Sequence, residues 1–194
     1  KNILIENHTL KKLDKFISID LNAIAKGFGV DAVYKYLISQ DISDMMVEIG
    51  GEVRAKGNNS KSKPWTIAIE RPSLSGDILE GFDWIVNLEN KAMATSGDYR
   101  NYFEVEGKIY SHEIDPRTGY PSITGVASAT VIAPNCTDAD AIATALMIMN
   151  VDEGMKLIED LPQVEALLLI RDKSNQFISL QSSGMNARSI GKDS

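Results

Sequence analysis

The chain has 194 residues and a formal net charge of −7. This length suits a single domain with a sizeable core, and the acidic balance argues against a nucleic-acid partner, which normally needs a basic surface. The one cysteine, Cys136, excludes an intrachain disulfide and a zinc cluster built from several thiolates. No apolar run approaches the length of a membrane span.

The predicted elements mix strands and helices. The first 15 residues predict a marginal strand and a connection, and alternation of apolar and polar residues predicts strands over residues 16–21, 65–70 and 84–88. Strands are also predicted over residues 45–49 and 126–133. Apolar residues at helical spacing predict helices over residues 30–38, 138–149 and 153–161. Hairpins are predicted over residues 102–110 and 164–180, and the tail from residue 181 is expected to be loose. This pattern indicates an α+β fold, a mostly antiparallel sheet with helices packed on it.

Residues 94–100 combine small side chains with an acid, before an aromatic run. Such a cluster leaves backbone N–H groups and the hydroxyls of Thr95 and Ser96 uncovered, which is the surface that an anion prefers. We interpret it as an anion-binding loop rather than as a regular strand.

A glycine pattern, GFGVDA, begins at Gly27 and satisfies the dinucleotide fingerprint, with Glu48 near the place of the ribose-binding acid. An oxidoreductase that uses NAD is therefore one interpretation; a loop that approaches a ligand but is not a Rossmann turn is the preferred one. Against the first interpretation, the six residues 21–26 separate Asp20, near the end of the predicted strand, from Gly27, and the chain does not alternate strand and helix as a doubly wound sheet does. Lys26 in this segment is either a phosphate contact or a solvated loop lysine.

Asp140 and Thr144 lie four positions apart, on one face of a predicted helix. Their oxygens suit a hard cation such as Mg²⁺. The alternative is structural, because Thr137 and Asp140 have the spacing of a capping box. His112 is either a hydrogen-bonded structural residue or a catalyst placed by the rigid turn that follows it, in which Arg117 is expected to pair with Asp115.

Five segments of the sequence, in this order, resemble those of the ApbE-type flavin transferases, the FAD:protein FMN transferases. They are DLNAIAKGFGVD (20–31), VEIGGEVR (47–54), ATSGDYRN (94–101), YSHEIDPRTG (110–119) and ADAIATALM (139–147). The family's usual Gly-Gly in the first segment is Asn22-Ala23 here. The resemblance covers roughly residues 17–180.

This resemblance implies a T-fold-like α+β domain and a Mg²⁺-dependent transfer of FMN from FAD to a Thr or Ser hydroxyl of an acceptor protein, with release of AMP. The implied metal ligands are Asp140, Thr144 and the backbone carbonyl of Ala25. The implied FAD contacts are Lys26, Glu48, Thr95, Ser96, Gly97 and His112. Among these residues, His112 is also the candidate for assisting deprotonation of the acceptor hydroxyl, and Asp140 is the second catalytic candidate.

The family's usual chain includes an N-terminal segment with part of the flavin pocket and, commonly, a lipid-anchoring cysteine. Residues 1–194 are therefore expected to form a single domain equivalent to the C-terminal part of such an enzyme. The resemblance implies a periplasmic or extracytoplasmic, lipid-anchored full-length protein, with an acceptor flavoprotein subunit of a membrane redox complex as its partner. A FAD pyrophosphatase that yields FMN and AMP and a non-catalytic flavin-binding domain stay open as alternatives, as does the oligomeric state.

Overall fold

A computed structural model describes residues 3–70, 82–98, 102–105, 108–111, 113–172 and 176–190. The described helices are α1 (Asn22–Ser39), α2 (Cys136–Ile148) and α3 (Val151–Asp160). The strands are β1 (Ile3–Glu6), β2 (Thr9–Lys12), β3 (Met45–Ile49), β4 (Glu52–Lys56), β5 (Trp65–Glu70), β6 (Phe82–Leu88), β7 (Ala92–Gly97), β8 (Tyr102–Val105), β9 (Lys108–Ser111), β10 (Val126–Ala133), β11 (Glu165–Arg171), β12 (Phe177–Gln181) and β13 (Arg188–Ser189).

A six-stranded sheet in the order β12-β11-β10-β7-β4-β3 forms the centre of the fold. All of its neighbouring strands pair antiparallel. A three-stranded sheet, β13-β6-β5, and the hairpins β1-β2 and β8-β9 complete the described strands. The predicted α+β class with a mostly antiparallel sheet is confirmed.

The central sheet is covered on both faces, and this explains why every residue of β10 is buried. One face packs on α2 and α3, with Ala94, Ala129 and Leu168 in that core. The opposite face packs on β5 and β6, with Met93, Ile132 and Leu167 in a second core. Because successive side chains of a strand point to opposite faces, neighbouring residues of β7, β10 and β11 pack into different cores.

Several predicted elements differ from the structure. Residues 16–21 alternate in polarity but form no strand; Phe16, Ile19 and Leu21 are exposed, so no core stabilises an extended conformation there. Helix α1 begins at Asn22 rather than near residue 30, so Gly27 and Gly29 lie inside a helix. The dinucleotide reading is therefore wrong, since its fingerprint requires these glycines in a strand-to-helix turn and a parallel sheet.

The other differences concern the 94–100 segment and the C-terminal tail. Residues 92–97 form the strand β7, with β4 and β10 on either side, rather than a loop. The tail is attached as far as residue 190, because Ser182 donates to Glu165, Ser183 donates to Glu159 and Arg188 pairs with β6. Among the described residues, no helix combines the length and apolar character needed to cross a membrane.

Candidate active site

Helices α1 and α2 cross in close contact at Gly27, and this contact places Asp140. The Gly27 N–H donates to Asp140 Oδ2 at 2.9 Å. A Cβ atom at position 27 would overlap the carbonyl of Cys136 and would lie 2.8 Å from Asp140 Cβ, so only glycine permits this approach. Burial raises the pKa of Asp140, although the Gly27 N–H and the charge of Lys26 act in the opposite direction. The carboxylate is thus held inside the protein beside a cation.

That cation, Lys26, forms an ion pair with Glu52 at the start of β4. The Nζ–Oε1 distance is 2.7 Å, and the Glu52 side chain is 1% exposed whereas that of Lys26 is 47% exposed. Burial raises the pKa of Glu52, and the Lys26 ammonium offsets only part of this effect. Glu52 Oε2 is buried and has no hydrogen-bond partner in the described part of the chain.

A second buried carboxylate, Asp31, ties α1 to the start of α2. It accepts hydrogen bonds from the Cys136 N–H, the Thr137 N–H and the Thr137 hydroxyl, at 3.0, 2.9 and 2.7 Å. It also pairs with Arg54, whose guanidinium lies 4.0 Å from the ring centroid of Tyr34. Burial alone acts to raise the pKa of Asp31, but these hydrogen bonds outweigh it and lower the pKa. The network fixes the helix that carries Asp140.

The capping box predicted from Thr137 and Asp140 is wrong. The N-cap of α2 is Asn135, whose side chain accepts from the Asp138 N–H at 2.9 Å. Thr137 lies within the first turn and donates its hydroxyl to Asp31, while Asp140 is bound by Gly27. Capping therefore does not account for Asp140.

We expect Asp31→Asn to lower the free energy of unfolding at pH 7 by about 2 kcal/mol, because an amide replaces an ionised acceptor of several hydrogen bonds. The pKa of Asp31 is lower in the folded state, so its contribution is complete above about pH 4 and is lost as the pH falls through the folded-state value. Urea unfolding of both proteins between pH 3 and pH 7 measures this. The difference should shrink on acidification; a difference that grows would contradict the assignment.

The hydroxyl side chains of Thr95 and Ser96 in β7 point to opposite faces of the sheet. Ser96 Oγ lies 3.2 Å from Thr144 Oγ1 of α2, on the face where Asp140 lies. Thr95 Oγ1 lies 2.9 Å from Thr130 Oγ1, on the face toward β5 and β6. The structure therefore brings Ser96 and Thr144 together, whereas the Thr95 side chain is directed away from α2.

The end of β7 is anchored by an ion pair that sequence reasoning did not identify. Asp98 is 4% exposed, and both of its carboxylate oxygens accept from the guanidinium of Arg171. The Asp98 N–H also donates to the Ala127 carbonyl at 3.0 Å. Because no sequence spacing links positions 98 and 171, only the pairing of β7, β10 and β11 brings them together. This pair fixes the strand that carries Ser96 and Gly97.

The remaining predicted residues are distributed around this core. Glu48 is exposed and accepts from the Gly51 N–H at 2.7 Å, within the turn between β3 and β4. Ala25 lies in the first turns of α1, one residue before Lys26. His112 lies outside the described residues. The contribution of these three residues to a pocket stays a prediction.

The predicted pair in the turn after residue 112 is confirmed, since the Arg117 guanidinium donates to both carboxylate oxygens of Asp115. This pairing lowers the pKa of Asp115. The turn borders a cleft of about 480 Å³ that also includes Ile148 and Asn150. The cleft opens at the C-terminal end of the helix that carries Asp140.

Cys136 is a core residue rather than a nucleophile. It is fully buried, and its thiol donates to the Val53 carbonyl at 3.6 Å. Burial, reinforced by the nearby carboxylates of Asp31 and Glu52, raises the pKa of Cys136 to about 12. A thiol with this pKa is neutral at physiological pH.

The donor set around Asp140 fits a hard cation. In the described part of the chain no three His, Cys, Asp or Glu side chains are grouped as a metal site. A carboxylate and a hydroxyl are present one helical turn apart, at Asp140 and Thr144, and one Asp140 oxygen is already oriented by Gly27. Mg²⁺ commonly takes few protein ligands and completes its shell with water and substrate phosphates.

Comparisons with known proteins agree in their result. The sequence model of the ApbE family matches residues 1–168. The chain is 44% identical over 178 residues to a FAD:protein FMN transferase of Haemophilus influenzae, a match covering 92% of this chain and 50% of that relative. It is 46% identical over 171 residues to the FAD:protein FMN transferase of Vibrio cholerae, covering 88% of this chain and 50% of the relative.

A solved structure of the flavin transferase ApbE from Vibrio cholerae superposes with a TM-score of 0.80 at 42% identity. The match covers 94% of this chain and 56% of that one. The chain thus spans about half the length of the curated relatives it matches.

Proposed function

Because this chain belongs to the ApbE family, we propose that it provides the site at which FMN is transferred from FAD to a hydroxyl group of an acceptor protein. The observation that carries the proposal is a convergence on helix α2. The Gly27 N–H from one family segment and the Ser96 hydroxyl from another contact Asp140 and Thr144 of a third. Segments far apart in sequence thus supply an oxygen-rich, partly cationic surface, as a pyrophosphate substrate requires.

We propose that Mg²⁺ is held by Asp140, Thr144 and the carbonyl of Ala25. When bound, the ion would neutralise charge on the FAD pyrophosphate and stabilise the leaving phosphate. The proposal is supported by the carboxylate and hydroxyl donors described above and by the burial of Asp140, which strengthens its attraction for a cation.

The chain's own groups bind and orient the substrate. Lys26, whose side chain is half-exposed, offers its ammonium to the phosphates, and Ser96 and Gly97 form the adjoining wall. Glu48, Thr95 and His112 are further FAD contacts that the family resemblance implies. His112 is our candidate for accepting the proton of the acceptor hydroxyl.

The bond changes balance without a further reactant. The acceptor oxygen bonds to the phosphorus of the FMN half of FAD, and the P–O bond to the AMP half breaks. The hydroxyl proton is removed and AMP leaves. If water replaces the acceptor hydroxyl, the same displacement yields FMN and AMP.

We expect the protein to release AMP when it is incubated with FAD, Mg²⁺ and an acceptor flavoprotein. Removal of Mg²⁺ with EDTA should lower the rate of AMP release at least about 100-fold, because a bound metal supplies several kcal/mol of charge stabilisation. Chromatography of the nucleotides measures the AMP. Release that needs no acceptor indicates hydrolysis instead. Absence of AMP despite FAD binding would support a non-catalytic flavin-binding domain and overturn the transferase proposal for this chain.

The acceptor that we propose is a flavoprotein subunit of a membrane redox complex, and the proposed location of the full-length protein is periplasmic or extracytoplasmic with a lipid anchor. Both proposals rest on the family relationship. A transfer that modifies an exported acceptor requires the enzyme on the same side of the membrane.

A further inference from the structure

Glu52 is a buried carboxylate that neither the glycine pattern nor the metal-site spacing singles out. It begins β4, directly after the Gly50-Gly51 turn, and it is 1% exposed. One oxygen accepts from the ammonium of Lys26 at 2.7 Å, whereas Oε2 has no hydrogen-bond partner in the described part of the chain. Burying a carboxylate is costly unless it is paired, and Lys26 is the cation that pairs with Glu52.

The Lys26 side chain passes close to the β3–β4 turn at Cδ and is bound at its ammonium end. Gly50 adopts φ +62°, and a Cβ atom there would lie 3.2 Å from Lys26 Cδ. The β3–β4 turn therefore borders the lysine stem, while Glu52 binds the ammonium. A half-exposed lysine without such contacts would sample many rotamers, because its long side chain is flexible.

The held ammonium lies beside the candidate metal site. Lys26 directly precedes Gly27, whose N–H binds Asp140. The pair formed by Lys26 and Glu52 is thus placed against the surface where we propose that the FAD phosphates bind.

We propose that Glu52 is a positioning residue that holds the Lys26 ammonium in one place for contact with a phosphate group of FAD. This inference rests on the proposed function. It differs from a purely electrostatic role, in which the negative charge of Glu52 would only weaken the attraction of Lys26 for an anion.

Two substitutions of Glu52 distinguish the effect of the position of its carboxylate from the effect of its negative charge. Glu52→Asp keeps the charge but shortens the side chain by one methylene, so the carboxylate retreats from Lys26. Glu52→Gln keeps the length but removes the charge. The matched control is Glu165→Asp, which shortens a carboxylate that accepts from the Ser182 hydroxyl and the Gly184 N–H in another part of the sheet.

FAD affinity, measured by the change in flavin fluorescence on titration with protein, tests the proposal independently of turnover. We expect about tenfold weaker binding for both Glu52 variants, which corresponds to the loss of one charge-assisted hydrogen bond, and wild-type affinity for Glu165→Asp. Urea unfolding of each variant shows that the folded state is the one being titrated. In turnover, KM for FAD should rise about tenfold while kcat changes less than about twofold.

Wild-type affinity in Glu52→Asp, or tighter binding in Glu52→Gln, would overturn the positioning role and leave the proposed function intact. Absence of FAD binding by the wild-type chain would overturn both.

Discussion

Asp140→Asn is expected to reduce Mg²⁺-dependent AMP release by about 100-fold or more. The amide keeps an oxygen that can accept from the Gly27 N–H, so the contact between α1 and α2 is retained. It does not keep the charge that a hard cation prefers in its ligand, and the missing metal contribution amounts to several kcal/mol in the transition state. Because Asp140 is 3% exposed, replacing a buried charge with a neutral group should leave the free energy of unfolding unchanged or raise it.

Asp138→Asn is the matched control for this variant. Asp138 lies on the same helix but is exposed, and it interacts with Asn135 at the N-terminus of α2. The same change of charge there should alter the rate less than about twofold and cost about 0.3–1 kcal/mol of stability through the helix dipole. Initial rates at several Mg²⁺ concentrations measure both variants. An Asp140→Asn protein with an unchanged Mg²⁺-dependent rate would remove Asp140 from the metal site.

Gly27→Ala is expected to destabilise the fold by about 3 kcal/mol or more, which is the upper end of the usual cost of overpacking. The added methyl group meets the backbone carbonyl of Cys136, which cannot rotate away, and Asp140 Cβ at 2.8 Å. Helices α1 and α2 must separate to admit it, and this separation breaks the hydrogen bond to Asp140. Urea unfolding measures the loss, and FAD-dependent AMP release should fall with it.

Gly29→Ala provides the comparison within the same helix. A Cβ atom at position 29 would meet only Ile49 Cδ1, at 3.3 Å, the flexible end of a side chain. Alanine favours a helix interior over glycine by about 0.5–1 kcal/mol, so this variant should be as stable as the wild type or slightly more stable. If Gly27→Ala and Gly29→Ala lowered the free energy of unfolding equally, the contact between α1 and α2 at Gly27 would not be the cause of the destabilisation.

Much of the fold follows from local sequence patterns. The pattern of apolar residues predicts β3, β5 and β10 at their observed bounds, because each packs side chains into a defined core on at least one face. Alternation of apolar and polar residues wrongly predicts a strand over residues 16–21, where the apolar side chains do not pack into a core. It also misses β7, because small and hydroxyl residues there reflect close packing against α2 rather than a loop.

The candidate site was predictable only in part. Asp140 and Thr144 lie one turn apart on a helix, and helical spacing is visible in a sequence. The partner of Lys26 cannot be identified from the sequence. The choice between Glu48 and Glu52 depends on which face of the β3–β4 hairpin each side chain occupies. The turn at Gly50 and Gly51 decides this, placing Glu52 against α1 and leaving Glu48 exposed. Pairs such as Asp98 with Arg171 need the complete sheet.

Intact mass spectrometry of an acceptor flavoprotein, after incubation with this chain, FAD and Mg²⁺, tests the proposed transfer most directly. The account predicts that the acceptor gains the mass of one FMN minus one water on a Thr or Ser residue, in proportion to the AMP released, and that Asp140→Asn slows this gain by about 100-fold or more. An acceptor of unchanged mass in the presence of bound FAD and Mg²⁺ would contradict it.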